Sequence, residues 1–178
     1  NIEAYEQALL HRNVGGIAMP LSLYIHIPFC ESLCFYCACN KIVTKRHERA
    51  IEYLRYLEKE IDLQVAKLGT GQAVSQLHFG GGSPTFFNDE ELESLMALLR
   101  KNFHLSATGE YSIEIDPRTV DASRLTNLKK IGFNRLSFGV QDFDPDVQKA
   151  VHRIQPAEQV FELVACARSL GFKSINVD

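Results

Sequence analysis

Leu21-Ser22-Leu23-Tyr24-Ile25-His26-Ile27-Pro28-Phe29-Cys30-Glu31-Ser32-Leu33-Cys34-Phe35-Tyr36-Cys37 is the stretch on which the fold turns. Its first seven residues form a short apolar run suited to a buried strand, with Tyr24 and His26 on one face under the period of two. Three thiols follow within eight residues, so a strand delivers its C-terminal end directly into a chemistry-bearing loop.

Runs of the same kind recur at Ser75–Phe79, Tyr111–Ile115, Arg135–Val140 and Ser174–Val177, separated by helix-like segments. Residues 46–68 space Ile51, Leu54, Leu57, Ile61, Val65 and Leu68 by three and four, as a buried helical stripe requires. A second helix starts at Asn88 with Glu91 as its capping-box partner, and Leu92, Leu95 and Leu99 line its face. A third is expected from Asp121 to Ile131, ending at Gly132. Asp144-Pro145 pairs an N-cap with proline at the first helical position, and a helix over 157–170 stops before Gly171. Strand and helix alternating in this way predict an α/β fold built on a parallel sheet with right-handed crossovers. Periodicity alone leaves an open doubly wound sheet and a barrel equally available. The chain ends at Asp178 directly after a strand-like run, so further protein is expected to follow.

Composition narrows the function classes. In 178 residues, 46% are apolar and 23% charged, ordinary values for a globular segment. The formal charge of -3 carries no basic excess for nucleic acid. Apolar stretches are interrupted well short of the roughly 20 residues a membrane span needs, and residues 1–20 lack a signal peptide's apolar block. A cytoplasmic protein is expected. Cys30, Cys34, Cys37 and Cys39 crowd together too closely to staple a fold by disulfides, and they imply a reducing compartment.

Three cysteines on one short loop suit three corners of a cuboidal iron-sulfur cluster, leaving one iron open to a small chelating molecule. Zinc and uninvolved thiols are the other readings. Structural zinc takes its ligands in two pairs, and no second pair follows here.

The spacing of Cys30, Cys34 and Cys37 after a strand resembles the radical S-adenosylmethionine superfamily. The continuation Cys37-Ala38-Cys39-Asn40-Lys41 resembles its oxygen-independent coproporphyrinogen III oxidases, which commonly carry glycine where this chain has Ala38. The resemblance covers Leu21 to Asp178 and implies a partial (βα) barrel, here an incomplete N-terminal portion. Residues 1–20 would be an N-terminal extension and 21–178 the truncated core.

Several residues acquire expected roles through that resemblance. Cys30, Cys34 and Cys37 would hold a 4Fe-4S cluster. Gly80-Gly81-Gly82-Ser83-Pro84-Thr85 could be a plain turn, but resembles the segment that receives the amino group of S-adenosylmethionine, with Ser83 where threonine is frequent. Glu114, a carboxylate in an apolar strand, would contact that cofactor or else be a satisfied core carboxylate. Tyr24 resembles a tyrosine contacting the cluster-bound cofactor, and Tyr36 stands where the family has an aromatic. Gln141, Arg153 and Asp178 fall on contact positions for a second S-adenosylmethionine; a solvated Arg153 is the other reading. Asp116 is expected to cap the strand end. Cys39 is not an expected ligand and could be a small buried side chain. His26 is as readily a hydrogen-bonded core histidine.

The implied reaction begins with reductive cleavage of S-adenosylmethionine. The resulting 5'-deoxyadenosyl radical removes hydrogen from the β-carbon of a porphyrinogen propionate, and loss of carbon dioxide and one electron leaves a vinyl group. Two propionates react in turn, converting coproporphyrinogen III to protoporphyrinogen IX in haem biosynthesis. An electron donor is required, and the family suggests a monomer. The rival expectation is a haem chaperone that binds and transfers haem, against which Cys39 and the following Asn40-Lys41-Ile42-Val43-Thr44 run speak.

Overall fold

The computed structural model describes residues 1–14 and 19–178. After helix α1 (Ile2–Val14) come β1 (Leu21–Ile27), a two-residue β2 (Phe29–Cys30) and β3 (Ile42–Val43). Then follow α2 (Glu48–Leu68), β4 (Gln72–Gly81), α3 (Asp89–Asn102), β5 (Phe103–Ile115), α4 (Ala122–Ile131) and β6 (Arg135–Phe138). The remaining elements are α5 (Pro145–Ala150), α6 (Ala157–Ser169) and β7 (Ser174–Val177).

The main sheet runs β1-β4-β5-β6-β7, all parallel. Successive strands are added at one edge without reversal. Right-handed crossovers therefore place their helices on one face, which is the progression of a barrel and not of a doubly wound sheet with its switch point. The expected partial barrel is the architecture observed.

The two faces of the sheet are chemically opposite. Ile25, Ile27, Leu77, Phe79, Ile113, Ile115, Leu136 and Phe138 are buried on the helix-covered side. Against them pack Leu57, Ile61 and Val65 of α2, the leucines of α3, and Leu125, Leu128 and Ile131 of α4. The other face carries Tyr24, His26, His78, Ser112, Glu114, Ser137 and Asn176, the alternate residues of the same strands. That polar face is the concave one, and it ends in the loops that form the site.

Local signals translate closely. Asn88 and Glu91 form the reciprocal capping box, Asp121 caps α4, Gly132 ends it with φ of 116°, and Asp144 caps α5 ahead of Pro145. The departures have physical causes. Ile51 is half exposed, because α2 turns Ala50 inward and Ile51 lies about 100° away on the helix. β5 begins eight residues earlier than the apolar run, at Phe103. Phe103–Leu105 pair with Gln72–Val74, and the polar segment that follows loops out before pairing resumes at Glu110, which hides the strand from periodicity. β6 stops at Phe138, since the amides of Val140 and Gln141 both turn to the carbonyl of Asp178.

Candidate active site

At the C-terminal edge of the sheet the loops enclose an open cavity of about 1360 Å³. Its first wall is the cysteine loop. Phe29 is buried against Phe86, with ring centroids 5.1 Å apart, and edge-on to Tyr53 at 5.5 Å, which anchors the residue before Cys30. β2 and β3 then close the loop at its base, where Ile42 N–H donates to Pro28 O at 2.7 Å and Thr44 N–H to Cys30 O at 2.8 Å. Cys37 N–H donates to Cys34 O at 3.2 Å, a turn that brings the second and third thiols round the same bend. The far side is held by the segment before α6: Phe35 N–H donates to Val151 O at 3.0 Å and His152 Nδ1 to Leu33 O at 2.9 Å.

The second wall is Gly81-Gly82-Ser83. Here the chain runs alongside the cysteine loop, with Gly82 N–H donating to Ile27 O and Ser83 N–H to Phe29 O, each at 2.8 Å. A Cβ on Gly82 would fall 2.7 Å from the carbonyl oxygens of both Pro28 and Phe29. Glycine is required at this position by the protein's own backbone, where the sequence suggested the approach of a ligand.

Glu114 projects from β5, its Oε2 accepting from Gly81 N–H at 3.2 Å and its Oε1 from His78 Nε2 at 3.0 Å. Asp116 lies beyond it and caps the turn Pro117–Thr119. Burial works to raise its pKa, but hydrogen bonds from Arg118 and the charges of Arg153 and Arg118 prevail and hold the carboxyl below its ordinary value. Arg118 Nη2 sits 2.6 Å from Asp116 Oδ2, and Arg153 Nη2 3.5 Å from Oδ1. Arg153 is therefore an ion-paired, largely buried arginine and not a solvated one, and it also donates to Gly139 O. Asp178 accepts from Ser137 Oγ at 2.8 Å and from Asn176.

All but one of the expected site residues line this cavity: Cys30, Cys34, Tyr36, Cys37, Gly81, Gly82, Ser83, Glu114, Gln141, Arg153 and Asp178. Tyr24 lines a smaller adjoining cavity of about 440 Å³, one step down the polar face, its hydroxyl 3.3 Å from His26 Nδ1. His26 is a hydrogen-bonded strand residue whose Nε2 lies 3.0 Å from Asn40 O, tying β1 to the cysteine loop. Cys39 is exposed rather than buried, and its N–H donates to Cys37 Sγ at 3.4 Å. The Asp116–Arg118 pair lines the cavity, and His78 and His152 brace its walls from outside it through Glu114 and Leu33 O, but none was singled out for the site from sequence. His78 and Asp116 had a local signal, a polar residue at alternate spacing along an apolar strand.

The fold and the placement of three thiols beside a glycine segment and a strand carboxylate define a class. The chain belongs to the Radical SAM superfamily, whose family model matches residues 24–178. Among its relatives, the oxygen-independent coproporphyrinogen III oxidase of Escherichia coli K12 is 50% identical over 173 residues, 97% of this chain and 38% of the relative. That of Pseudomonas aeruginosa PAO1 is 51% identical over 179 residues, covering 99% and 39%. The solved structure of the Escherichia coli coproporphyrinogen III oxidase superposes with a TM-score of 0.92 at 48% identity, over 99% of this chain and 39% of that one. A structure described as native anSMEcpe with bound AdoMet shares the fold, with a TM-score of 0.59 at 19% identity, over 89% of this chain and 43% of that one. The chain thus spans about two fifths of the length of the relatives it matches.

Membership implies a 4Fe-4S cluster and S-adenosylmethionine, and the donor set fits them. Burial, then the neighbouring Cys37 and Asp116, push the Cys30 thiol up to about 11, so it ionises readily only beside a strongly cationic group such as cluster iron. Among the described residues no three His, Cys, Asp or Glu side chains converge as ligands of one ion. Cys30, Cys34 and Cys37 line one cavity from a single loop, the arrangement in which three thiolates can each take one iron of a cuboidal cluster. Among the described residues, no helix is long and apolar enough to cross a membrane.

Proposed function

We propose that this chain supplies the cluster- and cofactor-binding part of an oxygen-independent coproporphyrinogen III oxidase, which converts two propionates of coproporphyrinogen III to the vinyl groups of protoporphyrinogen IX. The observation that carries the reading is identity of about 50% along nearly the whole chain to relatives of that name. When bound, the cluster and S-adenosylmethionine supply a one-electron cleavage that yields a hydrogen-abstracting carbon radical.

The chain's own residues bind and orient. Cys30, Cys34 and Cys37 hold the cluster on a loop braced at its base by β3 and at its far side by His152. Glu114, Gly81, Gly82 and Ser83 form a polar ledge beside that loop, with the Glu114 carboxylate placed for a cationic amino group. Tyr24 closes the ledge from below. Tyr36 stands on the cysteine loop between two of the ligands, while Gln141, Arg153 and Asp178 line the cavity beyond β6 and β7 and are the residues for a second S-adenosylmethionine. Arg153 is held in place by Asp116 and by its hydrogen bond to Gly139 O.

At the substrate, hydrogen leaves the propionate β-carbon, the carboxylate carbon departs as carbon dioxide, and one electron passes to an acceptor as the double bond forms. Residues 21–178 act as the core and 1–20 as an extension. The enzyme works as a cytoplasmic monomer with an electron donor and without nucleic acid or membrane.

The test is anaerobic turnover by full-length protein with reconstituted cluster, S-adenosylmethionine, reductant and coproporphyrinogen III, followed by mass spectrometry. Successive loss of two carboxyl groups supports the reading. An intact cluster with unchanged substrate and tight haem binding would replace it with haem transfer.

A further inference from the structure

His78 lies outside the large cavity but is wired to its edge. Strand register places Tyr24 opposite His78 and His78 opposite Ser112, one row across three parallel strands. Within that row the imidazole is held on three sides. Tyr24 stacks on it with centroids 5.6 Å apart and planes 22° from parallel. Ser112 Oγ is 2.6 Å from Nδ1, and Glu114 Oε1 is 3.0 Å from Nε2. An ionised carboxylate only accepts, so Nε2 carries a hydrogen and donates it, while Nδ1 is free to accept from the Ser112 hydroxyl. The other carboxylate oxygen accepts from Gly81 N–H at 3.2 Å.

Space for this bridge is kept by Gly80. A Cβ there would meet Glu114 Oε1 at 2.9 Å, His78 Nε2 at 3.0 Å and Tyr24 Cε2 at 3.0 Å. Those three atoms converge over one missing side chain. Glu114 faces the large cavity and His78 only the smaller one beneath, so His78 acts on the site through the carboxylate.

We propose that His78 is a positioning residue, whose Nε2–H holds Glu114 in the orientation that receives the amino group of S-adenosylmethionine at Gly81–Ser83. The inference rests on the reading of that ledge as the S-adenosylmethionine site. Charge-assisted hydrogen bonds are strong only when geometry is kept, and without His78 one carboxylate oxygen loses its tether.

The experiment measures S-adenosylmethionine dissociation constants by anaerobic equilibrium dialysis on the full-length, cluster-loaded protein. His78→Phe keeps a ring and removes the donor, and should weaken binding about tenfold, with iron content and thermal midpoint near those of the parent. His78→Gln, which returns an N–H at similar reach, should recover to within about threefold. Ser112→Ala removes the hydroxyl that supports His78 at Nδ1, together with its longer 3.4 Å hydrogen bond to Leu77 O, and should cost about two- to threefold even if the Phe variant fails to fold. Glu114→Gln should weaken binding at least as much as His78→Phe, and the double variant no further. Parental affinity in His78→Phe or Ser112→Ala, or losses that simply add in the double variant, would overturn the positioning role. Parental affinity in Glu114→Gln would instead remove Glu114 from the cofactor site and the inference with it.

Discussion

Replacing Gly82 by alanine tests whether the glycine segment and the cysteine loop are a single packed unit. The new Cβ would stand 2.7 Å from Pro28 O and Phe29 O, and its neighbours here are backbone atoms that no side-chain rotation can move aside. Restoring ordinary contact needs a separation of about 0.7 Å, which would stretch Gly82 N–H to Ile27 O and Ser83 N–H to Phe29 O from 2.8 Å to about 3.5 Å. Two weakened hydrogen bonds plus overpacking amount to about 2–4 kcal/mol. Gly82 does not have a positive φ, so none of this is left-handed strain. Gly171 is the control: its φ is 72° and nothing lies within 4 Å of an added Cβ, so alanine there should cost only about 1–2 kcal/mol of backbone strain. Urea denaturation of the reduced apoprotein measures both, and iron and sulfide analysis after reconstitution reports the loop. Gly82→Ala should lose the larger stability and much of its cluster content. A variant no worse than Gly171→Ala, with full iron content, would refute the coupling.

Four shorter predictions follow from the same geometry. Asp116 is ionised more readily folded than unfolded, so its stabilisation is complete above the unfolded pKa near ~3.9 and is lost as pH falls through the lower folded value. Asp116→Asn should therefore be destabilised at neutral pH by about 1–3 kcal/mol and lose less stability than the parent below pH ~4, as measured by urea midpoints across pH. Asn88→Ala removes the side-chain half of the capping box, the acceptor for Glu91 N–H, while the backbone N–H of residue 88 can still donate to Glu91, and should lower the urea midpoint by the equivalent of about 1 kcal/mol at unchanged slope. His152→Ala removes the donor to Leu33 O and should speed iron release to a chelator several-fold, while an unchanged release rate would separate that contact from cluster retention. Serine at Cys30, Cys34 or Cys37 should abolish the cluster's visible absorbance, whereas Cys39→Ser should keep it.

Short-range chemistry was legible in the sequence. Asn88 with Glu91, Asp121 ahead of α4, and Asp144 before Pro145 act within one turn of chain, and each forms the cap its residue types require. The three cysteines lie within eight residues, so their spacing alone confines them to one loop, and alternating strand patterns implied a parallel sheet. The family resemblance brought in Glu114, Gln141, Arg153 and Asp178, which lie far apart in the chain. Tertiary structure alone decided what depends on register and crossing distance. Periodicity could not distinguish a barrel from a doubly wound sheet, because the order of strands leaves no trace in any single strand. The row Tyr24, His78, Ser112 exists because two parallel pairings fall in step, and a slip of one residue would turn His78 into the apolar face. The pairing of Asp116 with Arg153, and of His152 with Leu33 O, likewise joins residues whose separation along the chain is closed only by the folded sheet. Local sequence determines what an element is, because its hydrogen bonds and caps are local; the site arises where distant elements meet, and that meeting is set by packing of the whole core.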